Sequence, residues 1–291
     1  MADTGRDIVR RCLEDSGLSF WCDQYLMSDT CAYLMDFYLP DMNLAIAIRG
    51  QNDFRPEYGS VAVGKDFLQK RALLAQEQGM GLVQLFEHDF HTGNRWDVVK
   101  QRLSAFGKQT RIGARQCRFS TVDSARARKF LSRYHTQGYI NTAQSSYGLF
   151  YGDDLVSVML FGKSRYNAYD MELLRYCTEP RFGASGGFSK LLADSLRDMS
   201  FHGSLVSFMD LNCRFSAKSV YDKYGFSFDG LTEPDYVWVS EDRYVLSRYA
   251  CMKHRLVQAG FDASMSEAEI MHSRGYEKLY GAGSARYVLM A

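Results

Sequence analysis

The sequence predicts a mixed α/β protein of two domains. At 291 residues the chain exceeds the usual size of one domain, and roughly 100 to 200 residues per domain make two domains the default. Apolar residues make up 46% of the chain and prolines number only four, which indicates folded structure along its length. In the C-terminal half, strand pairs are followed by alternating strands and helices, which is typical of a mixed sheet with flanking helices.

The N-terminal part contains both helical and strand patterns. Residues 5–16 repeat apolar positions at helical spacing, and residues 33–39 and 44–48 form two short apolar runs around a Pro-Asp-Met-Asn turn. We therefore predict a helix followed by a β-hairpin. Further along, the patterns predict a helix at 66–78, a strand at 81–86 and a helix at 96–105. Residues 107–114 are basic and glycine-punctuated, so we expect a linker there and a first domain spanning 1–110.

The second predicted domain spans residues 111–245. Its expected strands are 117–119, 146–151, 155–161, 171–177, 205–210 and 236–239, and its expected helices are 124–134, 188–199 and 217–224. Residues 246–291 form a C-terminal extension that we expect to pack on this second domain. The extension contains Ser266 and Glu269 at the spacing of a capping box, which marks the start of a helix.

Composition excludes several classes of protein. The longest apolar runs are far shorter than a membrane span, and the first residues lack the apolar core of a signal peptide. Seven cysteines are scattered without a CxxC pair, which suits reduced thiols better than disulfides or a zinc site. We therefore expect a cytoplasmic protein with no membrane partner and no structural metal bound by cysteine.

One segment is strongly basic although the net charge of the chain is only +1. Eleven lysines and arginines lie between residues 95 and 133, against two aspartates. Two interpretations stay open at this point, a solvated charged face and a footprint for a phosphate backbone. For the second, the candidate DNA-binding residues are Lys100, Arg102, Lys108, Arg111 and Arg115.

A glycine-rich segment, residues 181–190, lies between a predicted strand and a predicted helix. Backbone N–H groups at a helix start can bind phosphate oxygens, and glycine leaves their approach open. An ordinary tight turn is the alternative interpretation of such a loop.

Downstream, residues 212–226 begin with Asn and end with Tyr-x-x-x-Gly-Phe, a pattern that resembles the signature of the GNAT acyltransferase family. The order of the preceding motifs agrees: a hairpin at 148–158, then Glu172–Arg175, then the glycine segment. The resemblance covers roughly residues 118–240 and implies a GNAT-like mixed sheet. The glycine segment is one residue longer than the family's usual spacing.

The GNAT resemblance also implies a site. Acetyl-CoA or another acyl-CoA would be the cofactor, its pyrophosphate held by Arg181, Gly183, Gly186, Gly187 and Ser189. Near the thioester, Tyr221 would act as general acid beside Asn212. Glu172 or Asp210 would be the base, and His135 a residue on the substrate side. The alternatives are a packing role for Tyr221, a capping role for Asn212 and a structural role for His135.

Residues 34–50, with a helix and strand that follow up to residue 90, resemble the core of PD-(D/E)XK nucleases, particularly very-short-patch repair and Hef-like homing endonucleases. Asp36 would be the metal-binding aspartate of this restriction-endonuclease-like domain. Ala47 and Phe67 stand where such proteins often carry Glu and His. With Lys70, Glu87 and Asp89 as the other candidates, the nuclease site is expected to be degenerate, and Mg²⁺ is expected only if that site is active.

The tail, together with Arg255-Leu-Val257, resembles phage-encoded proteins that carry a GNAT-like module behind a Hef-like nuclease. The resemblance implies a phage protein in the bacterial host cytosol. In such a protein a degenerate nuclease-like domain would bind DNA. The acyltransferase domain would then modify an amine of a nucleobase, because Mom-type phage proteins, which modify DNA, resemble the GNAT fold. Two alternatives remain, a metal-dependent homing endonuclease and a non-catalytic DNA-binding or host-interaction protein.

Overall fold

The computed structural model describes residues 4–49 and 64–291, and it confirms a mixed α/β architecture. The helices are α1 (Gly5–Ser16), α2 (Phe67–Glu77), α3 (Arg95–Ser104), α4 (Ser124–Tyr134), α5 (Gly187–Asp198), α6 (Lys253–Gln258) and α7 (Glu267–Ser273). The strands are β1 (Trp21–Met27), β2 (Ala32–Leu39), β3 (Leu44–Arg49), β4 (Gly81–Phe86), β5 (Thr110–Gly113), β6 (Arg118–Thr121), β7 (Ser145–Tyr151), β8 (Asp154–Lys163), β9 (Met171–Thr178), β10 (Phe182–Ser185), β11 (Ser204–Asp210), β12 (Cys213–Arg214), β13 (Ser227–Leu231), β14 (Tyr236–Ser240), β15 (Val245–Ser247), β16 (Tyr276–Tyr280) and β17 (Ser284–Met290).

The chain forms two units that are interleaved in sequence. The first unit contains residues 1–93, 210–217 and 232–284, and the second contains residues 94–209, 218–231 and 285–291. The polypeptide therefore passes from one unit to the other five times. None of the helices among the described residues is long and apolar enough to span a bilayer.

The first unit is built on a five-stranded sheet with the order β1-β2-β3-β4-β12. β2 and β3 form the predicted hairpin, whose turn contains Asn43 with a positive φ of 45°. β3 and β4 run parallel, connected through α2, and every residue of β4 is buried. Burial of both faces is expected of parallel strands, and it explains why β4 is an almost continuous apolar run.

A second, three-stranded sheet of the first unit has the order β15-β14-β16 and packs with α6 and α7. Its core contains Trp238, Ile270 and Met271, all nearly inaccessible to solvent. Ser266 and Glu269 form the predicted capping box at the start of α7. This box satisfies backbone N–H groups that a helix start leaves unbonded.

The second unit contains a seven-stranded sheet with the order β13-β17-β11-β9-β8-β7-β6. The neighbours from β6 to β9 are antiparallel, whereas β9 and β11 are parallel. α4 buries Ala127, Phe130 and Leu131 against strand residues such as Val158. A separate two-stranded parallel pair joins β10 to β5.

Two local predictions were wrong. Residues 217–224 do not form an α-helix, and only a single 3-10 turn, Tyr221–Lys223, is present. The backbone N–H of Tyr221 donates to the hydroxyl of Ser219 and not to a carbonyl four residues back, because serine side chains compete with helical hydrogen bonds. Residues 107–114, the predicted linker, contain β5, which pairs with β10 and lies within the second unit.

Candidate active site

The parallel strands β9 and β11 of the second unit are paired over a short stretch. Their register joins residues 171–173 of β9 to residues 205–207 of β11 and ends at Leu173 opposite Ser207. β9 continues to Thr178 and β11 to Asp210, so both strands run several residues past the last pair. Ligands of α/β sheets bind in crevices at the carboxyl ends of parallel strands, which makes this point the natural place for a site.

Two hydroxyl groups mark the end of the pairing. Ser207 Oγ donates a hydrogen bond of 3.0 Å to the carbonyl oxygen of Leu173 across the strands. Tyr221 Oη lies 2.8 Å from Ser207 Oγ. Because the hydroxyl proton of Ser207 is donated to the carbonyl oxygen of Leu173, the O–H of Tyr221 is the donor in this second bond. Burial raises the pKa of Tyr221 to about 12. The phenol is therefore protonated over the whole physiological range and held in one orientation.

Aromatic rings surround this phenol. Phe188, in the first turn of α5, contacts Tyr176 and Tyr221 edge-to-face with ring centroids 4.9 and 5.9 Å apart, and it stacks on Tyr224 at 5.2 Å. Tyr221 also contacts Phe226 at 5.1 Å. Such ring pairs add stability beyond the area that they bury. The ring cluster fixes the first turn of α5 next to the divergence of β9 and β11.

The glycine-rich segment is divided into two parts. Gly183 lies in β10 and is paired with β5, so part of the expected cradle is a strand. Gly186 has a positive φ of 73° and is the N-cap of α5, which begins at Gly187. Ser189 Oγ donates to the carbonyl oxygen of Gly186. The first N–H groups of a helix have no partner within the helix, so the amides of residues 187–189 are the ones that could hold a phosphate.

Two further features of this segment bear on cofactor binding. A Cβ atom added at Gly187 would lie 3.1 Å from Cβ of Ala184, which explains the glycine there by close packing. Arg181 is exposed and forms an ion pair with Glu179. The guanidinium of Arg181 would have to leave Glu179 to bind a pyrophosphate. The donor set fits an acyl-CoA pyrophosphate through the amides of the first turn of α5.

Glu172, a predicted base, is engaged in an ion pair. Its carboxylate is 2% exposed and accepts two hydrogen bonds from Arg165, of 2.7 Å from Nη2 and 3.2 Å from Nε. Bidentate pairing of this kind is the strong geometry for arginine and carboxylate. A base must take a proton from its substrate, and this carboxylate is held by a guanidinium instead.

Asn212 belongs to the first unit, where both the oxygen and the nitrogen of its side-chain amide are hydrogen-bonded. Its Oδ1 accepts from the backbone N–H of Ala282 at 2.9 Å, and its Nδ2 donates to Asp210 at 2.9 Å. The carbonyl oxygen of Asn212 accepts from the N–H of Gln84 at 2.7 Å. Asp210, the other predicted base, also accepts from the backbone N–H of Asn212. These bonds give both residues a structural role within the first unit.

His135 follows directly after α4 in the second unit. Its Nδ1 accepts a hydrogen bond of 3.1 Å from the N–H of Gln137, which places the ring proton on Nε2. Burial lowers the pKa of His135 to about 3, and the positive charges of Arg175 and Arg102 act in the same direction. The imidazole is therefore neutral at pH 7.

The predicted DNA-binding residues fall into two groups, all within the second unit. Lys100, Lys108, Arg111 and Arg115 are exposed. Arg102 is only partly exposed, and its guanidinium interacts with the thiol of Cys177 on β9. Arg102 is thus the member of the set that turns toward the interior.

Asp36 lies in the first unit, and its surroundings do not suit a metal ion. The carboxylate accepts from the N–H of Ile48 at 2.7 Å and lies 3.5 Å from the guanidinium of Arg6. Burial raises the pKa of Asp36. Within residues 4–49 and 64–291, no cluster of three acidic, His or Cys side chains is arranged to hold a metal. Mg²⁺ needs several oxygen ligands close together, and a cation at Asp36 would lie against the positive charge of Arg6.

The other nuclease-like candidates are also engaged. Glu87 accepts from the N–H of Gly5, Asp89 accepts from the N–H of Phe86, and Lys70 is paired with Asp66. These bonds account for the three side chains within the local structure of the first unit.

Sequence reasoning missed Ser207 and Arg165. Ser207 is a polar residue within the apolar run of β11, and a buried polar side chain in a strand must find a partner. This was the signal that could have identified it. Arg165 lies in the loop before β9, and nothing in its local sequence indicates that it pairs with Glu172.

Comparison with known proteins gave no match to a family model and none to a curated protein sequence. Among solved structures, a Bacillus subtilis acetyltransferase in complex with CoA has 13% identity and a TM-score of 0.33, covering 60% of this chain and 99% of its own. A GNAT family acetyltransferase from Elizabethkingia anophelis with acetyl-CoA bound has 8% identity, and an IAA acetyltransferase from Bacillus cereus has 10%, with the same TM-score of 0.33 and the same coverage of 60% and 99%.

Proposed function

We propose that the second unit is an N-acyltransferase of the GNAT kind that uses acyl-CoA. The observation that carries this proposal is the divergence of β9 and β11 at the hydrogen-bonded chain Tyr221–Ser207–Leu173. A phenol with a fixed proton stands there at the carboxyl end of two parallel strands, and the first turn of α5 follows β9 and β10 in sequence.

The order of the elements supports the same function. The motifs that resemble the GNAT signature fall in turn on the β7–β8 hairpin, on β9, on the segment leading into α5 and on the segment after β11. All of the strands named here belong to one seven-stranded sheet. The hairpin and Glu172–Arg175 therefore lie on neighbouring strands of one sheet, and the glycine segment and the segment after β11 lie outside its strands.

In this proposal the residues have distinct chemical roles. An acyl-CoA would supply an acyl group activated as a thioester. The amides of the first turn of α5 bind the pyrophosphate, because they have no partner within the helix and lie at its positive end. The hydroxyl of Tyr221 would turn its proton from Ser207 Oγ toward the sulfur that leaves, while Ser207 keeps its own hydrogen bond to the carbonyl oxygen of Leu173. Since the pKa of Tyr221 is raised to about 12, its first contribution is a hydrogen bond to the developing thiolate.

Calorimetric titration with acetyl-CoA tests cofactor binding. The informative variant is Ser189→Glu, which adds a negative charge in the first turn of α5. Such a charge favours a helix start, so the fold is expected to persist, while it repels a pyrophosphate at the same amides. The matched control is Ser124→Glu, which adds the same charge to the first turn of α4. We expect binding to the wild type and to the control, and its loss in Ser189→Glu.

A wild-type protein that gives no heat with acetyl-CoA would overturn the proposed function. Equal affinity of wild type and Ser189→Glu would move the cofactor away from α5. Melting temperatures of all three proteins, measured alongside, separate a loss of binding from a loss of folding.

We further propose that the acyl acceptor is an amine associated with DNA. The exposed Lys100, Lys108, Arg111 and Arg115 support this, because lysine and arginine contacts to phosphates supply sequence-independent affinity for DNA. Mass analysis of nucleosides from DNA incubated with the protein and acetyl-CoA tests it. Acylated nucleosides are expected, and DNA of unchanged mass with acetylation of free amines would limit the activity to other acceptors.

A further inference from the structure

We infer that Arg165 is a positioning residue that joins β9 to β11 where their pairing ends, and so fixes the point at which the two strands separate. The inference rests on the proposed function for the reaction that this point serves. It does not depend on the glycine-rich segment or on the basic residues proposed to contact DNA.

The loop of residues 164–170, which connects β8 to β9, reaches across the sheet. In the strand order β9 lies between β8 and β11. The loop nevertheless contacts β11, because the ring of Tyr166 lies 5.5 Å from that of Phe208 at an angle of 31°. At the start of the loop, Ser164 Oγ accepts a hydrogen bond of 3.0 Å from the N–H of Tyr166, as in a serine turn. The loop therefore brings side chains to β9 and to β11.

The guanidinium group of Arg165 contacts both strands. It donates to the carboxylate of Glu172 on β9, at 2.7 Å from Nη2 and 3.2 Å from Nε. Its Cζ lies 5.0 Å from the centroid of the Phe208 ring on β11. A planar guanidinium can make both contacts, because its N–H groups bond in the plane while its face stacks on a ring. Glu172, Arg165 and Phe208 thus form a cross-strand tie.

The register of the strands places this tie at the end of their pairing. Glu172 is paired with Val206, and the last pair joins Leu173 to Ser207. Successive side chains of a strand point to opposite faces, so Phe208, two residues after Val206, lies on the face of Glu172. Phe208 is also the first residue of β11 beyond the last pair. The tie therefore spans the point of separation.

The hydrogen-bonded chain of Tyr221 joins the same strands on the other face. Ser207 precedes Phe208, so its side chain points away from the tie, and its Oγ connects the phenol to the carbonyl oxygen of Leu173. The strands are thus held on both faces where they separate. Loss of the tie would let β11, and the phenol with it, move relative to β9. A misplacement of about 1 Å can cost about 100-fold in rate.

Hydrogen exchange of backbone amides tests the tie without any cofactor. Arg165→Gln is the test variant, and because the arginine side chain is 60% exposed, the fold accommodates glutamine. The control is Ala127→Gly, which lowers overall stability from the buried face of α4 without touching the tie. We expect amides of residues 172–174 and 206–208 to exchange at least about tenfold faster in Arg165→Gln, as for loss of a hydrogen bond between charged groups. In the control these amides should change less than about twofold, since only local opening depends on the tie.

Conservative variants separate the ring contact from the charge. Arg165→Lys keeps the charge and loses the planar fork, so it should restore slow exchange only in part. Phe208→Leu removes the ring and should speed exchange at the same amides, whereas Phe208→Tyr keeps the ring and should behave as wild type. Equal exchange in Phe208→Leu and wild type would remove β11 from the tie and overturn the inference.

Steady-state kinetics with acetyl-CoA and an amine provide a readout that a merely structural role would not move. Because the proposed function binds the pyrophosphate at α5, Arg165→Gln should keep acetyl-CoA affinity within about threefold and lower kcat at least about tenfold. The matched control is Arg197→Gln, which removes an arginine from an exposed ion pair with Asp194 and should leave kcat unchanged. Melting curves confirm that each variant is folded.

The outcomes separate this inference from the proposed function. Wild-type protein that gives no heat with acetyl-CoA, with exchange that is faster at the end of the β9–β11 pair in Arg165→Gln, would sink the acyltransferase while the tie stands. Exchange at these amides that responds to Arg165→Gln no more than to Ala127→Gly overturns the tie even if acetyl-CoA binds. In an active protein, an unchanged kcat in Arg165→Gln overturns the positioning role.

Discussion

The hydroxyl groups of Tyr221 and Ser207 lie 2.8 Å apart, at the last paired position of two parallel strands that then separate. One hydrogen bond thus connects the chain after β11 to the point where the sheet opens. Ser207 Oγ in turn donates a second hydrogen bond, to the carbonyl oxygen of Leu173. The orientation of the phenol therefore depends on the pairing of β9 with β11.

Tyr221→Phe removes the phenol hydroxyl and keeps the ring. We expect turnover with acetyl-CoA and an amine to fall by about 100-fold, the low end of what general acids contribute, with acetyl-CoA affinity unchanged. Because one buried hydrogen bond is lost, the free energy of unfolding should fall by about 1 kcal/mol. Steady-state kinetics and urea denaturation measure the two effects. Tyr151→Phe, at an exposed position of β7, is the control, and full turnover in Tyr221→Phe would exclude the phenol as acid.

Glu172→Gln and Arg165→Gln test whether the ion pair is structural or catalytic. Each should lower the free energy of unfolding by about 1 to 3 kcal/mol, less than for a fully buried pair because Arg165 is 60% exposed. In a double-mutant cycle the double variant should lose less free energy of unfolding than the sum of the losses in the two single variants. Activity that collapses in Glu172→Gln but persists in Arg165→Gln would instead identify Glu172 as the base.

His135 should make stability depend on pH in acid. Its pKa is about 3 in the folded chain against about 6.5 when unfolded, so the unfolded state binds the extra proton between these values. The contribution of the neutral imidazole to the free energy of unfolding is complete above about pH 6.5 and is lost as the pH falls toward the folded pKa of about 3. At pH 5 the loss should be about 2 kcal/mol. Urea denaturation at pH 7 and pH 5 should show this difference in wild type and not in His135→Gln.

DNA binding should depend on salt through the exposed basic residues of the second unit. Replacing Lys100, Lys108, Arg111 and Arg115 by glutamine should lower the slope of log affinity against log salt by about one for each phosphate contact removed. A control variant replaces Lys70, Lys163, Lys223 and Lys253, which are also exposed. Fluorescence anisotropy with duplex DNA gives both slopes, and identical slopes in the two variants would rule out a specific footprint.

The strong periodic segments could be predicted from the sequence. α1 and α4 lie where apolar spacing placed them, and the β2–β3 hairpin and β4 lie within one or two residues of prediction. Each of these elements buries one consistent face or an unbroken apolar run, so the local pattern and the packing agree. The presence of an α/β sheet in the C-terminal half followed from the same patterns.

Other elements depend on partners distant in sequence. β5 and β10 are four residues each and pair with each other across about seventy residues, so neither has a local signal. The segment after β11 has the composition of a helix, but Ser219 competes for its backbone N–H groups. The engagement of Glu172 by Arg165 could not be predicted either, because ion pairing is set by side-chain positions in the fold.

The position of β17 near the end of the chain affects how the sheet forms during synthesis. This strand lies between β13 and β11 in the seven-stranded sheet, yet more than fifty residues of the other unit separate it from β13 in sequence. The sheet cannot be completed on the ribosome until residues 284–290 have emerged. Trimming the chain after residue 231 would therefore leave the edge of β11 open to other strands, and such a fragment is expected to aggregate unless the missing strand is supplied.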